Sequence, residues 1–216
     1  MKHCLRLSSL LILFLASCAA PYKGLQQQKP ISSVYKYRPQ FNKTLYRCIV
    51  DGKIIFKKFH LSGLLFFKQL ENGTIRAIFQ NEMGIAFFDF EWDSAENFKV
   101  KQVMPQLDKE AVLKTLRKDL EMLLMIGMDK NSEISLGQDR GKQQLYRLNR
   151  TGGYVYYTAE DDRLVKIENT NNRKRIVTVS LQGDAAPASM PDTVLYDHHK
   201  ANFTISLTKI ERNVNE

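Results

Sequence analysis

Ile85-Ala86-Phe87-Phe88-Asp89-Phe90-Glu91-Trp92-Asp93 carries the clearest alternation in the chain. Read with a period of two, Ala86, Phe88, Phe90 and Trp92 share one face, and Ile85, Phe87, Asp89 and Glu91 share the other. Side chains of a strand point alternately to its two faces, so this segment is a strand with one strongly apolar side. The same reading extends backwards. Thr74–Gln80 is a strand between turns at Glu71-Asn72-Gly73 and Asn81-Glu82-Met83-Gly84, and Leu61–Leu70 precedes it. Leu45–Val50 and Lys53–Phe59 flank Asp51-Gly52, a dipeptide suited to a two-residue hairpin turn. Forwards, Phe98–Met104 adds another strand. The connections are too short for crossovers, so the strands form an antiparallel meander.

The period then changes. Over Asp108–Met125, Val112, Leu116, Leu120, Leu123 and Leu124 recur at helical spacing, with Lys114, Arg117, Lys118 and Glu121 elsewhere on the wheel. Asp108 is placed to cap this helix and Gly127 to end it. Met104, Met122, Met125 and Met128 lie around it as flexible packing side chains. Strands resume at Gln144–Leu148, Tyr154–Thr158, Arg163–Glu168, Arg175–Leu181 and Phe203–Ile210. The expected fold class is α+β, predominantly antiparallel β: a curled half-barrel sheet closed by a central amphipathic helix.

The N-terminus reads differently. Lys2, His3 and Arg6 precede the apolar run Leu10-Leu11-Ile12-Leu13-Phe14-Leu15, followed by Ala16, Ser17 and Cys18. A basic flank, a short apolar stretch and small residues make a secretory signal over residues 1–17, shorter than the roughly 20 residues of a membrane-spanning helix. Residues 18–43 contain Pro21, Pro30, Pro39 and a Gln run, and read as a tether, so the folded domain is expected over 44–216. Of the three cysteines, Cys4 leaves with the signal and Cys18 is the acylation candidate. Cys48 is then alone in a strand, as a small buried hydrophobe, and no internal disulfide can form. The net charge of +9 falls by two when Lys2 and Arg6 are removed. Its basic residues are dispersed apart from Arg173-Lys174-Arg175, which argues for anionic surfaces and against nucleic acid.

No reaction chemistry stands out. The sequence holds no H-E-x-x-H, C-x-x-C or G-x-S-x-G pattern, and no cofactor motif. His198-His199 sits in Tyr-Asp-His-His-Lys and reads as a polar surface turn, while Asp89 and Glu91 read as the solvated side of their strand. Gly152-Gly153 precedes a strand and is a turn, not a phosphate cradle. The chain is not expected to be an enzyme.

Two resemblances add to this. Leu15-Ala16-Ser17-Cys18 resembles the lipobox of bacterial lipoproteins, which implies Cys18 as the acylated first residue of the mature chain. Ala19 stands where the best-known sorting rule places an inner-membrane retention Asp, which implies an outer-membrane anchor at the periplasmic face. The order of lipobox, tether, strands, central helix and strands is similar to the LolA/LolB-like lipoprotein-localisation fold. Met190-Pro191-Asp192-Thr193-Val194 and Phe203-Thr204-Ile205-Ser206-Leu207-Thr208-Lys209-Ile210 look like that superfamily's closing strand pair. Asn81-Glu82-Met83-Gly84-Ile85-Ala86-Phe87-Phe88-Asp89-Phe90 also resembles envelope lipoproteins of Bacteroidetes-type bacteria. The resemblance implies a half-barrel with an apolar concave face, acyl chains as partners and no catalytic residues. The protruding apolar loop of LolB-type receptors has no obvious counterpart in this sequence.

Two functions follow. In the first, Phe88, Phe90 and Trp92 with the helix face Leu116, Leu120 and Leu124 bound a cavity for lipid or lipoprotein acyl chains. In the second, the same faces pack together, and the chain is a non-catalytic interaction lipoprotein of an envelope complex. Alternation serves both equally; an open cavity or a filled interior separates them.

Overall fold

The computed structural model describes residues 21–22, 24–30, 32–54, 57–137, 143–171, 173–183 and 187–210. The signal segment and Cys18 lie outside the described residues. In chain order the strands are β1 (Gln27–Gln28), β2 (Lys43–Ile54), β3 (Lys57–Gln69), β4 (Ile75–Gln80), β5 (Ala86–Trp92) and β6 (Phe98–Val103). After the helix α1 (Glu110–Leu124) come β7 (Asp129–Leu136), β8 (Gln143–Arg150), β9 (Gly153–Glu160) and β10 (Arg163–Thr170). The last three are β11 (Arg175–Gln182), β12 (Thr193–His198) and β13 (Phe203–Lys209).

All thirteen strands form one antiparallel sheet in the order β1-β7-β8-β9-β10-β11-β12-β13-β2-β3-β4-β5-β6. Pairing of β13 with β2, from Phe203↔Gly52 to Lys209↔Tyr46, joins the two halves of the chain in the middle of the sheet. That leaves β6 at one edge and β7, partly covered by β1, at the other. The segment between β6 and β7 is therefore obliged to travel from edge to edge, and α1 does so across the concave face. Trp92 on β5, Arg150 on β8, Tyr157 on β9 and Tyr196 on β12 all donate hydrogen bonds to α1. One helix reaches strands so far apart in the sheet only because the sheet curls around it. The fold class read from the sequence is the one observed.

The apolar faces meet in one core. Phe88 stacks on Phe90 at 4.3 Å, and Phe90 and Trp92 both pack on Phe98. Complete burial of such side chains contributes about 1.5–3 kcal/mol each. The helix is apolar-faced at its start and buried nearly all round at its end, from Asp119 to Met125. Within that buried end stands Glu121. Its carboxylate accepts from Trp92 Nε1 at 3.1 Å, from Arg117 Nε at 2.6 Å one helical turn away, and from Arg150.

Several local readings are corrected. Asp51-Gly52 is no hairpin turn: β2 runs through it to Ile54, which pairs with Lys57 of β3. Gly52 is needed for closeness instead. A Cβ there would stand 2.3 Å from the Phe59 ring and 2.6 Å from Phe203 Cβ, so the two flanking aromatics cover a bare backbone. Asp108 does not cap α1; Lys109 holds the N-cap position, without a side-chain cap. The helix ends at Met125 in the left-handed region (φ 52°), two residues before Gly127, with the Ile126 amide donating to the Glu121 carbonyl. Leu61–Leu70 is no separate strand but the end of the long β3, and β7 was not anticipated. Packing also begins ahead of Leu45. Val34 and Tyr37, on a short 3-10 helix, are buried in the core, and the Val34 amide donates to Glu133 at 2.5 Å.

Glu121→Ala leaves the Arg150 guanidinium buried without its main counter-charge. The variant is expected to lose about 3–5 kcal/mol, read as a fall in the urea midpoint, whereas replacing the exposed Glu82 leaves the midpoint unchanged.

Candidate functional site

A cavity of about 470 Å³ lies between the first half of α1 and the arc of strands from β12 to β5. Val50, Phe59, Leu61, Phe88, Phe203 and Ile205 are part of its apolar wall. Alternation explains this wall: residues two apart on β2, β3 and β13 repeat on the concave side. Deep lining residues, among them Cys48, Asp119, Tyr196 and Leu207, are buried. Gln106, Lys109, Ala111 and Ala201 line the cavity yet are exposed, which places its mouth at the start of α1 and the β12–β13 turn.

Three of the six residues expected around a cavity line it, and three do not. Phe88, Leu116 and Leu120 form wall. Phe90 and Trp92 are buried around Phe98 and Glu121 instead, and Leu124 is enclosed in the packed core. The reason lies in the helix, whose second half is pressed onto the sheet while its first half stands off. The stripe Leu116-Leu120-Leu124 is continuous along the wheel, but the space beneath it closes before Leu124.

The buried acid–imidazole pair beside the cavity was missed by the sequence reading. His198 is not in a surface turn. It ends β12, is 4% exposed, stacks on Phe203 at 3.9 Å, and its Nε2 lies 3.0 Å from Asp119 Oδ2. Burial pushes the Asp119 carboxyl above the ordinary carboxylate range, and the neighbouring His198 opposes that shift. His199, by contrast, is exposed and bonds Thr178 at 2.8 Å. Asp89 also departs from expectation: it is buried and paired with Arg76. Two residues of the β4–β5 connection, Met83 and Ile85, are 86% and 56% exposed, so an apolar loop tip does exist.

Burial pushes the Cys48 thiol up to about 12 from its ordinary 9.0. A reactive thiol needs its thiolate, so Cys48 is inert wall.

No protein-family model matches this sequence, and a search of curated proteins finds no match. Among solved structures, the chain is similar to a proposed outer membrane lipoprotein-sorting protein domain from Vibrio parahaemolyticus. The TM-score is 0.52 at 11% identity over 84% of this chain and 90% of that one. It is similar as well to a LolA superfamily protein from Nitrosomonas europaea, with a TM-score of 0.51 at 9% identity over 82% of this chain and 89% of that one.

The state of Cys48 gives a pH prediction. The unfolded thiol loses its proton from about pH 9, the folded one only near 12, so the contribution of Cys48 to stability is full below 9 and is lost between 9 and 12, ahead of that of the buried Tyr46, Tyr157 and Tyr196, which burial also pushes up. Cys48→Ala is expected to lessen the fall in urea midpoint between about pH 9 and 10, before the tyrosines contribute. A thiol reagent at pH 8 is expected to label Cys48 only after unfolding. The arrangement of open antiparallel sheet and one crossing helix is that of the LolA/LolB-like fold.

Proposed function

We propose that this protein is a non-catalytic lipoprotein of the outer membrane that holds lipid or lipoprotein acyl chains in its half-barrel cavity. The observation that carries this reading is the open, apolar space of about 470 Å³ under α1. It lies within the roughly 300–1,000 Å³ of ordinary ligand sites. At ~30 Å³ per water, and with a methylene of similar size, the space suits one long alkyl chain. Each buried methylene contributes about 0.8 kcal/mol, so a chain needs no specific polar partner to bind there. A filled interior, which the interaction-lipoprotein reading requires, is not what the first half of α1 covers.

Anchoring through acylated Cys18 at the periplasmic face belongs to the same proposal, on the strength of Leu15-Ala16-Ser17-Cys18. One acyl chain binds a bilayer marginally and two or more bind it durably. A tether from Cys18 would then keep the cavity within reach of the membrane. The exposed Met83 and Ile85 supply an apolar tip that suits contact with a lipid surface.

The test is native mass spectrometry of the Cys18→Ala protein, exported and purified without detergent. A stoichiometric lipid or fatty-acyl mass is expected, and Leu116→Glu, a half-buried wall position, is expected to abolish it while the far-ultraviolet spectrum stays unchanged. A folded, lipid-free protein that also takes up no added fatty acid would sink the reading.

A further inference from the structure

The polar groups of the cavity are not scattered. Among the described residues, its charged lining residues are Lys109, at the N-cap of α1, and Asp119, ten positions on and so about 15 Å away along the helix axis. Asp119 sits at the buried end, 2% exposed and faced by His198. Lys109 sits at the mouth, exposed, beside the exposed Gln106, and makes no ion pair among the described residues. Asp108 and Glu110 flank it in sequence and are exposed, but neither lines the cavity. The mouth is also the positive end of a fifteen-residue helix with no side-chain cap. A ligand lying in the cavity thus meets apolar wall along its length and a cation with an amide at the exit.

Taking the acyl-chain reading as its basis, we propose that the occupant is a single-chain amphiphile with an anionic headgroup, seated tail inward with the headgroup at Lys109 and Gln106. The opposite orientation takes the headgroup charge out of water at the closed end of the cavity, beside the buried Asp119–His198 pair, where an unpaired anion is costly. A cationic amphiphile places its charge beside Lys109 in either case of tail-first binding. Burial at the closed end therefore sets the direction of entry, and Lys109 at the mouth sets the sign of the headgroup.

The experiment measures binding of three sixteen-carbon probes to the purified full chain by isothermal titration: hexadecanoate, hexadecanol and hexadecyltrimethylammonium. Hexadecanoate is expected to bind about tenfold more tightly than hexadecanol, the size of effect that one or two partly exposed charge contacts give. The cation is expected to bind weakest. Lys109→Gln is expected to erase the difference between acid and alcohol, and Lys109→Glu to reverse the order of acid and cation. Hexadecanol binding as tightly as hexadecanoate, or a preference that survives in Lys109→Gln, overturns the headgroup assignment and leaves the cavity reading standing. Absence of binding by all three probes overturns both.

Discussion

The Glu121 carboxylate is the fixed point of this fold. Pairing of β13 with β2 sends the two strands adjoining α1 to opposite edges of the sheet, so the helix must cross the concave face. A crossing helix needs something to hold its position, because apolar packing is non-directional and tolerates sliding. Trp92 from one limb of the curl and Arg150 from the other converge on Glu121, with Arg117 as a third donor. Each partner would be costly to bury alone; together they satisfy one another. Tyr157 and Tyr196 donate to the carbonyls of Met122 and Asp119, so every such tie falls on the second half of α1.

That asymmetry divides the helix by task. Its C-terminal half is anchored and buried on nearly all sides. Its N-terminal half rests on the sheet only through partly buried positions such as Leu113 and Leu116, and it starts without a side-chain cap. The cavity lies under the half that is not tied down. Rigidity and open space are thus consequences of one placement, and Lys109 is carried to the mouth by the same placement.

Much of this was legible in the residues, and the failures have physical causes. Alternation from Ile85 to Asp93 and the helical stripe from Val112 to Leu124 are strong because one face of each is buried. β7 gave no such signal, since Asp129-Lys130-Asn131-Ser132-Glu133 is polar on both faces and lies near an edge. Asp51-Gly52 misled because its glycine answers to Phe59 and Phe203, neighbours across strands that local turn chemistry does not see. Asp119 could have been found: it stands three residues after Leu116 and seven after Val112, inside the apolar stripe, where a carboxylate needs a partner. His198 as that partner could not, because the contact spans 79 positions of chain from 119 to 198 and depends on the curl.

Whether the interior is filled or open was beyond alternation, but it follows from curvature and size. From β12 to β5 the sheet crosses five strand spacings, an arc of about 24 Å at 4.7–4.9 Å each. The helix touching both limbs is only about 10–12 Å across with its side chains. An arc of that length over so narrow a chord bows away from the helix at its middle, under β13, β2, β3 and β4. Closing the gap would take large side chains at the crown of the bow. The concave positions there include Cys48 and Val50, which leave the crown open between Phe59, Phe79 and Phe203. The modest size of Cys48 and Val50 on β2 thus shapes the cavity together with the aromatic alternation of β5, whose Phe88 forms wall and whose Phe90 and Trp92 close the interior beyond it.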